Sequence, residues 1–74
     1  MRAVDAVREI MKSQDVGVNK MADRLDRKSN VISERLGQDN ISIAKLNEML
    51  RVLDYKILIV PREVMTPKDG YEVG

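Results

Sequence analysis

The sequence predicts a mainly α fold, a compact domain of four short helices closed by a C-terminal β-strand or short hairpin. Three observations carry that expectation. Apolar residues recur at helical spacing in four separate stretches as far as Leu53, after which "YKILIV" changes to a strand-like run. The apolar residues are almost all aliphatic or methionine, with two tyrosines as the only aromatics and five methionines, a composition suited to packing short helices. The chain has 74 residues, enough for one domain and one core. A fold of that size buries only about 60% of the surface its unfolded chain exposes, so a partner subunit is expected to support it.

Residues 2–13 read as the first helix. Val4, Val7 and Met11 fall at i, i+3 and i+7, Ala3 and Ile10 widen the stripe, and Arg2, Asp5, Arg8, Glu9 and Lys12 fill the other side. Ser13-Gln14-Asp15 ends it. The second helix is expected over Val18–Leu25, capped by Gly17 or Asn19, with Met21, Ala22 and Leu25 inward. Ala22 is small enough to let a neighbouring helix approach. The third helix is expected over Ser29–Leu36. Ile32 and Leu36 share its apolar stripe, Asn30 and Glu34 lie roughly opposite, and Ser33 and Gly37 flank them. "GQDN" is a loop by composition, and Ser42 is the expected N-cap of a fourth helix, Ile43–Leu53, with Ile43, Leu46, Met49, Leu50 and Leu53 inward. Tyr55–Val60 reads as a strand, largely apolar on both faces, that Pro61 limits. "TPKDG" is a turn signal, and "YEV" can return as a short second strand. The working division is residues 1–65 for the domain with its strand and residues 66–74 for a turn and a short or mobile tail.

Composition removes several function classes. With no cysteine and no histidine there is no disulfide framework, no Cys/His zinc site, no thiol nucleophile and no imidazole base. Carboxylates such as Asp23 and Asp26 sit on an exposed helical edge with no pocket implied and no glycine-rich phosphate loop nearby, so no enzyme is expected. No cofactor, metal or small-molecule ligand is expected. The N-terminal stretch contains Asp5 and Glu9 and lacks an apolar run of signal-peptide length. The longest apolar run, Ile57–Val60, is far too short to span a bilayer, so no membrane role is expected and the cytoplasm is the expected location. Thirteen Lys and Arg against twelve Asp and Glu leave a net charge of +1, so any case for nucleic acid rests on where the charges lie.

The second and third helices meet at a four-residue break, "DRKS", whose Ser29 opens the third helix and which holds neither proline nor glycine. That is a helix-turn-helix arrangement, whose second member can enter the DNA major groove. "MADRLDRKSNVISERL", residues 21–36, resembles the phage-repressor helix-turn-helix family (Cro/repressor-like, lambda-repressor-like), which typically reads Leu-Ala-x-x-Leu-Gly-Val-Ser-x-x-x-Ile-Ser-x-x-Leu. Met21-Ala22 takes the Leu-Ala place, Leu25 the second Leu, Ile32-Ser33 the Ile-Ser and Leu36 the last Leu. The fourth helix, ending "LRVLDY", resembles the family's closing helix, so the pattern covers about residues 3–60. Asp26 stands where the family has the turn glycine, Arg27 where it has a buried Val, Lys28 where it has a capping Ser, and Val18 where it has a polar residue. Ser29 is the candidate to take over the cap.

The resemblance implies a sequence-specific, DNA-binding transcriptional regulator of phage or mobile-element type, a repressor that binds double-stranded DNA as a homodimer. Base contacts are expected from Ser29, Asn30, Ser33 and Glu34: Asn can bond adenine bidentately, Glu can accept from cytosine N4, and Ser can serve either base. Phosphate contacts are expected from Lys20, Arg24, Arg27, Lys28, Arg35, Gln38 and Asn40. Five basic residues against three acidic ones lie between Lys20 and Arg35, and Arg35 can instead pair with an acid such as Asp39. A dimer interface is expected at Tyr55, Ile57, Leu58, Ile59 and Val60, since an exposed apolar strand edge invites pairing. Pairing of that strand with "YEV" competes with the dimer or coexists with it. The alternative function is a protein-binding adaptor on the same scaffold, such as an antitoxin, an anti-repressor or an inhibitor of a host defence protein.

Overall fold

In a computed structural model, the elements run α1 (Ala3–Ser13), α2 (Val18–Arg24), α3 (Ser29–Leu36), α4 (Ile43–Val52), β1 (Ile57–Ile59) and β2 (Tyr71–Val73). The structure describes residues 1–63 and 70–74. The expected four helices and hairpin are all present. The differences are at the ends, where Leu25 and Leu53 serve as C-caps and do not continue their helices.

Three helices end in one way. At α1, Asp15 N–H donates to the Lys12 carbonyl and Val16 N–H to the Met11 carbonyl. At α2, Asp26 donates to Asp23 and Arg27 to Ala22. At α4, Asp54 donates to Arg51 and Tyr55 to Leu50. Each is a Schellman motif, which needs one residue in the left-handed region just past the cap. Here that residue is an aspartate every time, with φ of 57° at Asp15, 54° at Asp26 and 62° at Asp54. The motif at Asp15 returns Val16 into the core, where it is buried.

The core gathers Val7, Met11 and Val16 with Met21, Ala22, Ile32, Leu36, Met49, Leu50 and Leu53. Ile43, expected to face inward, is 52% exposed. It is the first residue of α4, one turn ahead of Leu46, which is itself only half-buried, so the core ends before reaching it. Side chains of α1 and of its C-cap residue fasten the other helices. Arg8 donates to the Leu36 carbonyl at 3.1 Å, and Gln14 donates to the Leu53 carbonyl at 2.8 Å, satisfying carbonyls that helix ends leave free. Ser42 caps α4 as expected, its hydroxyl accepting from Lys45 N–H at 3.2 Å.

β1 and β2 pair antiparallel with Ile57 opposite Val73, Leu58 opposite Glu72 and Ile59 opposite Tyr71. Pairing of the strand with "YEV" is therefore real. The paired strand is shorter than expected, Ile57–Ile59, with Tyr55, Lys56 and Val60 outside it. Ile57 packs against the core while Ile59, farther along the same face, is 62% exposed beside Tyr71 at 74%. Gly74, at φ 99°, sits so close to Asn47 of α4 that a Cβ would lie 2.3 Å from its amide nitrogen, which ties the hairpin to α4. The expected turn at Thr66–Gly70 lies mostly outside the described residues. No helix among the described residues is long and apolar enough to cross a membrane.

Candidate nucleic-acid interface

The α2–turn–α3 unit is built by two buried stripes. Met21 and Ala22 on α2 meet Ile32 and Leu36 on α3, and these two helices pack on one another more extensively than any other helix pair. Both stripes are inside, so the opposite face of α3 is outside. Asn30, Ser33 and Glu34 are exposed there, as their spacing from Ile32 predicts. Asp26 supplies the left-handed turn that a glycine would otherwise make.

Ser29 does not cap α3. Lys28 is the N-cap residue, with extended backbone and no side-chain cap bond. The Ser29 hydroxyl instead donates to Asn19 Oδ1 at 2.6 Å, tying the first residue of α3 to the first turn of α2. Ser29 is thus half-buried and less free to meet a base than its three neighbours. The N-terminus of α3 has no acid in its first turn, so its free N–H groups and its dipole favour an anion.

Lys20, Arg24 and Lys28 are exposed, and none of them forms an ion pair among the described residues. Gln38 and Asn40 are exposed in the loop after α3. Arg27 is engaged: its Nε and Nη2 donate to the two oxygens of Glu48 on α4, at 2.9 and 3.3 Å. Arg35 is placed elsewhere altogether. Its side chain is only 7% exposed, and Nη1 donates to Glu48 Oε1 at 2.8 Å. A guanidinium enclosed in this way is not offered to a phosphate, so Arg35 leaves the set of phosphate contacts. The physical reason is its place on the helix: Arg35 adjoins Leu36 on the inward side and reaches across to α4. Its expected alternative partner, Asp39, is bound instead to Arg2, which also holds Asp5.

Glu48 is the residue that sequence reasoning missed. It lies 21 residues from Arg27 and 13 from Arg35, and no local spacing announces a bond at that separation. Its carboxyl is held below the ordinary glutamate range, first by the Arg27 hydrogen bond and then by that of Arg35. Arg27 is held correspondingly above its ordinary value by Glu48. Asp5 is lowered in the same way by Arg2.

The assembled surface offers amide, hydroxyl and carboxylate groups on one face of α3, and exposed cations on α2 and on the turn that precedes α3. Such groups can read base edges and neutralise phosphate. Comparison with protein-family models, with curated proteins and with solved structures finds no match for this chain.

Proposed function

We propose that this chain is a sequence-specific DNA-binding transcriptional regulator, a cytoplasmic repressor of phage or mobile-element type. It acts as a homodimer and reads the major groove with α3. The observation that carries the reading is the division of α3: Ile32 and Leu36 are buried, while Asn30, Ser33 and Glu34 are presented outward, with Lys20, Arg24 and Lys28 exposed on α2 and the turn that leads into α3. Residues 21–36 add the resemblance of their pattern. The mechanism is occlusion, two α3 helices in successive major grooves roughly 34 Å apart denying a promoter to polymerase. The exposed Tyr55, Ile59, Val60 and Tyr71 favour pairing of two hairpins as the dimer contact, with Ile57 and Leu58 half-buried at its base.

Two variants test the reading once a bound sequence is in hand. Asn30→Ala should relax preference at one base pair, costing about 1–3 kcal/mol of discrimination, and Lys28→Ala should weaken all duplexes alike and lower the salt slope by about one. Equal, sequence-blind effects from both would contradict it.

A second reading, a protein-binding adaptor on the same scaffold, draws on a different observation. An apolar groove of about 290 Å³ lies between α1, α4 and β1, lined in part by Ala6, Ile10, Leu46, Tyr55 and Ile57. If a protein is the ligand, substitutions in Tyr55–Val60 should abolish binding and those at Lys28 and Asn30 should not.

A further inference from the structure

Glu48 stands on α4, a helix that carries none of the proposed DNA contacts, yet its carboxylate is bound to the turn that leads into α3. It serves two arginines at once, Arg27 at 2.9 and 3.3 Å and Arg35 at 2.8 Å. One carboxylate neutralises one of two cations, so the group of three keeps a net charge of +1. The two arginines are not equivalent. Arg35 is enclosed, and its Nε is buried without a partner among the described residues. Losing Glu48 would leave its charge uncompensated in a poorly solvated place, which is costly. Arg27 is 43% exposed, so its guanidinium is within reach of a ligand wherever the two bonds to Glu48 do not hold it. A phosphate offers Arg27 the same forked geometry that the carboxylate does.

We infer that Glu48 is an affinity-limiting residue, withholding Arg27 from phosphate and so lowering the phosphate-borne part of the protein's affinity for DNA of any sequence. The inference rests on the DNA-binding reading above. Sequence-independent binding is a sum of phosphate contacts, each adding about 0.9 to the slope of log affinity against log salt. Lys20, Arg24 and Lys28 contribute freely to that sum, while Arg27 is already satisfied from within. The base-reading groups on α3 are untouched by the arrangement, so Glu48 lowers the sequence-independent part of the affinity for every duplex alike.

The test is a titration of random-sequence duplex across a salt series. Glu48→Gln keeps an oxygen for Arg35 but gives up the charge that holds Arg27. It should bind random duplex about five-fold more tightly at 0.15 M salt and steepen the slope by about 0.9, the effect of one phosphate contact. Made on an Arg27→Ala background, the same substitution should bring no such gain. Glu9→Gln, an equal charge change on the exposed face of α1, should bring little. Arg27→Lys leaves the Glu48–Arg35 bond in place but cannot form the fork. It should move in the same direction as Glu48→Gln and guards against a Gln variant that folds poorly. The inference is overturned if Glu48→Gln leaves random-duplex binding unchanged, or gains as much without Arg27 as with it. Absence of any duplex binding by the unaltered protein would instead remove the DNA reading, and this inference with it.

Discussion

Asp15, Asp26 and Asp54 each hold a backbone conformation that glycine adopts freely and an L-residue resists. Each also places a carboxylate at a helix C-terminus, where the dipole disfavours it. Asp15→Gly, Asp26→Gly and Asp54→Gly should therefore each stabilise the fold by about 0.5–1 kcal/mol, read as a midpoint rise of several degrees in thermal unfolding followed by circular dichroism. Loss of stability at all three would contradict the account of these turns. Glu48 gives a second prediction. Its carboxyl is lowered in the fold, so its contribution is complete above the ordinary glutamate value and is lost as pH falls through the lower, folded one. Urea midpoints should fall as pH drops below about 4.3, and Glu48→Gln should show a shallower fall. The limb that remains belongs in part to Asp5, which Arg2 lowers in the same way. At this scale the outward face of α3 was legible, because Asn30, Ser33 and Glu34 follow from helical spacing against Ile32. The Arg27–Glu48–Arg35 group was not, because its bonds join residues far apart in sequence. Val16 was missed for a related reason: a core residue delivered by a turn leaves no periodic trace.

The helices themselves were largely written in apolar periodicity. The range of α3 matched, and α1, α2 and α4 differed by one residue at one end, where caps and not stripes decide. Ile43 shows the limit of a stripe: spacing says which face a residue occupies, not whether another element lies opposite. The α2–α3 pair stands on Met21 and Ile32, both fully buried. Ile32→Ala should cost about 2–5 kcal/mol. A chain this size commands only about 4–11 kcal/mol in total, so the variant should lose a large fraction of its stability. Asn30→Ala and Ser33→Ala, on the outer face, should stay within about 0.5 kcal/mol of the unaltered protein. Denaturant unfolding distinguishes these outcomes, and a comparable loss from Asn30→Ala would mean that the outer face is structural.

For the molecule as a whole, the proposed homodimer rests on the hairpin. Two three-residue strands are marginal alone, and this pair leaves Ile59 and Tyr71 in solvent on one face. Pairing with a second copy would cover them. Sedimentation should find a dimer at micromolar concentration, and Ile59→Lys with Tyr71→Lys should return it to monomer while the helical domain stays folded. A monomer in the unaltered protein would point to the adaptor reading. The strand was legible from its β-branched run, but its partner was not, since the sequence admitted both "YEV" and another chain. The most direct measurement of the central claim is an anisotropy titration against a pool of random duplexes at low and moderate salt, with sequencing of the bound fraction. The account predicts a palindromic consensus with half-sites one helical turn apart; weak binding that salt erases, with no sequence enriched, would contradict it.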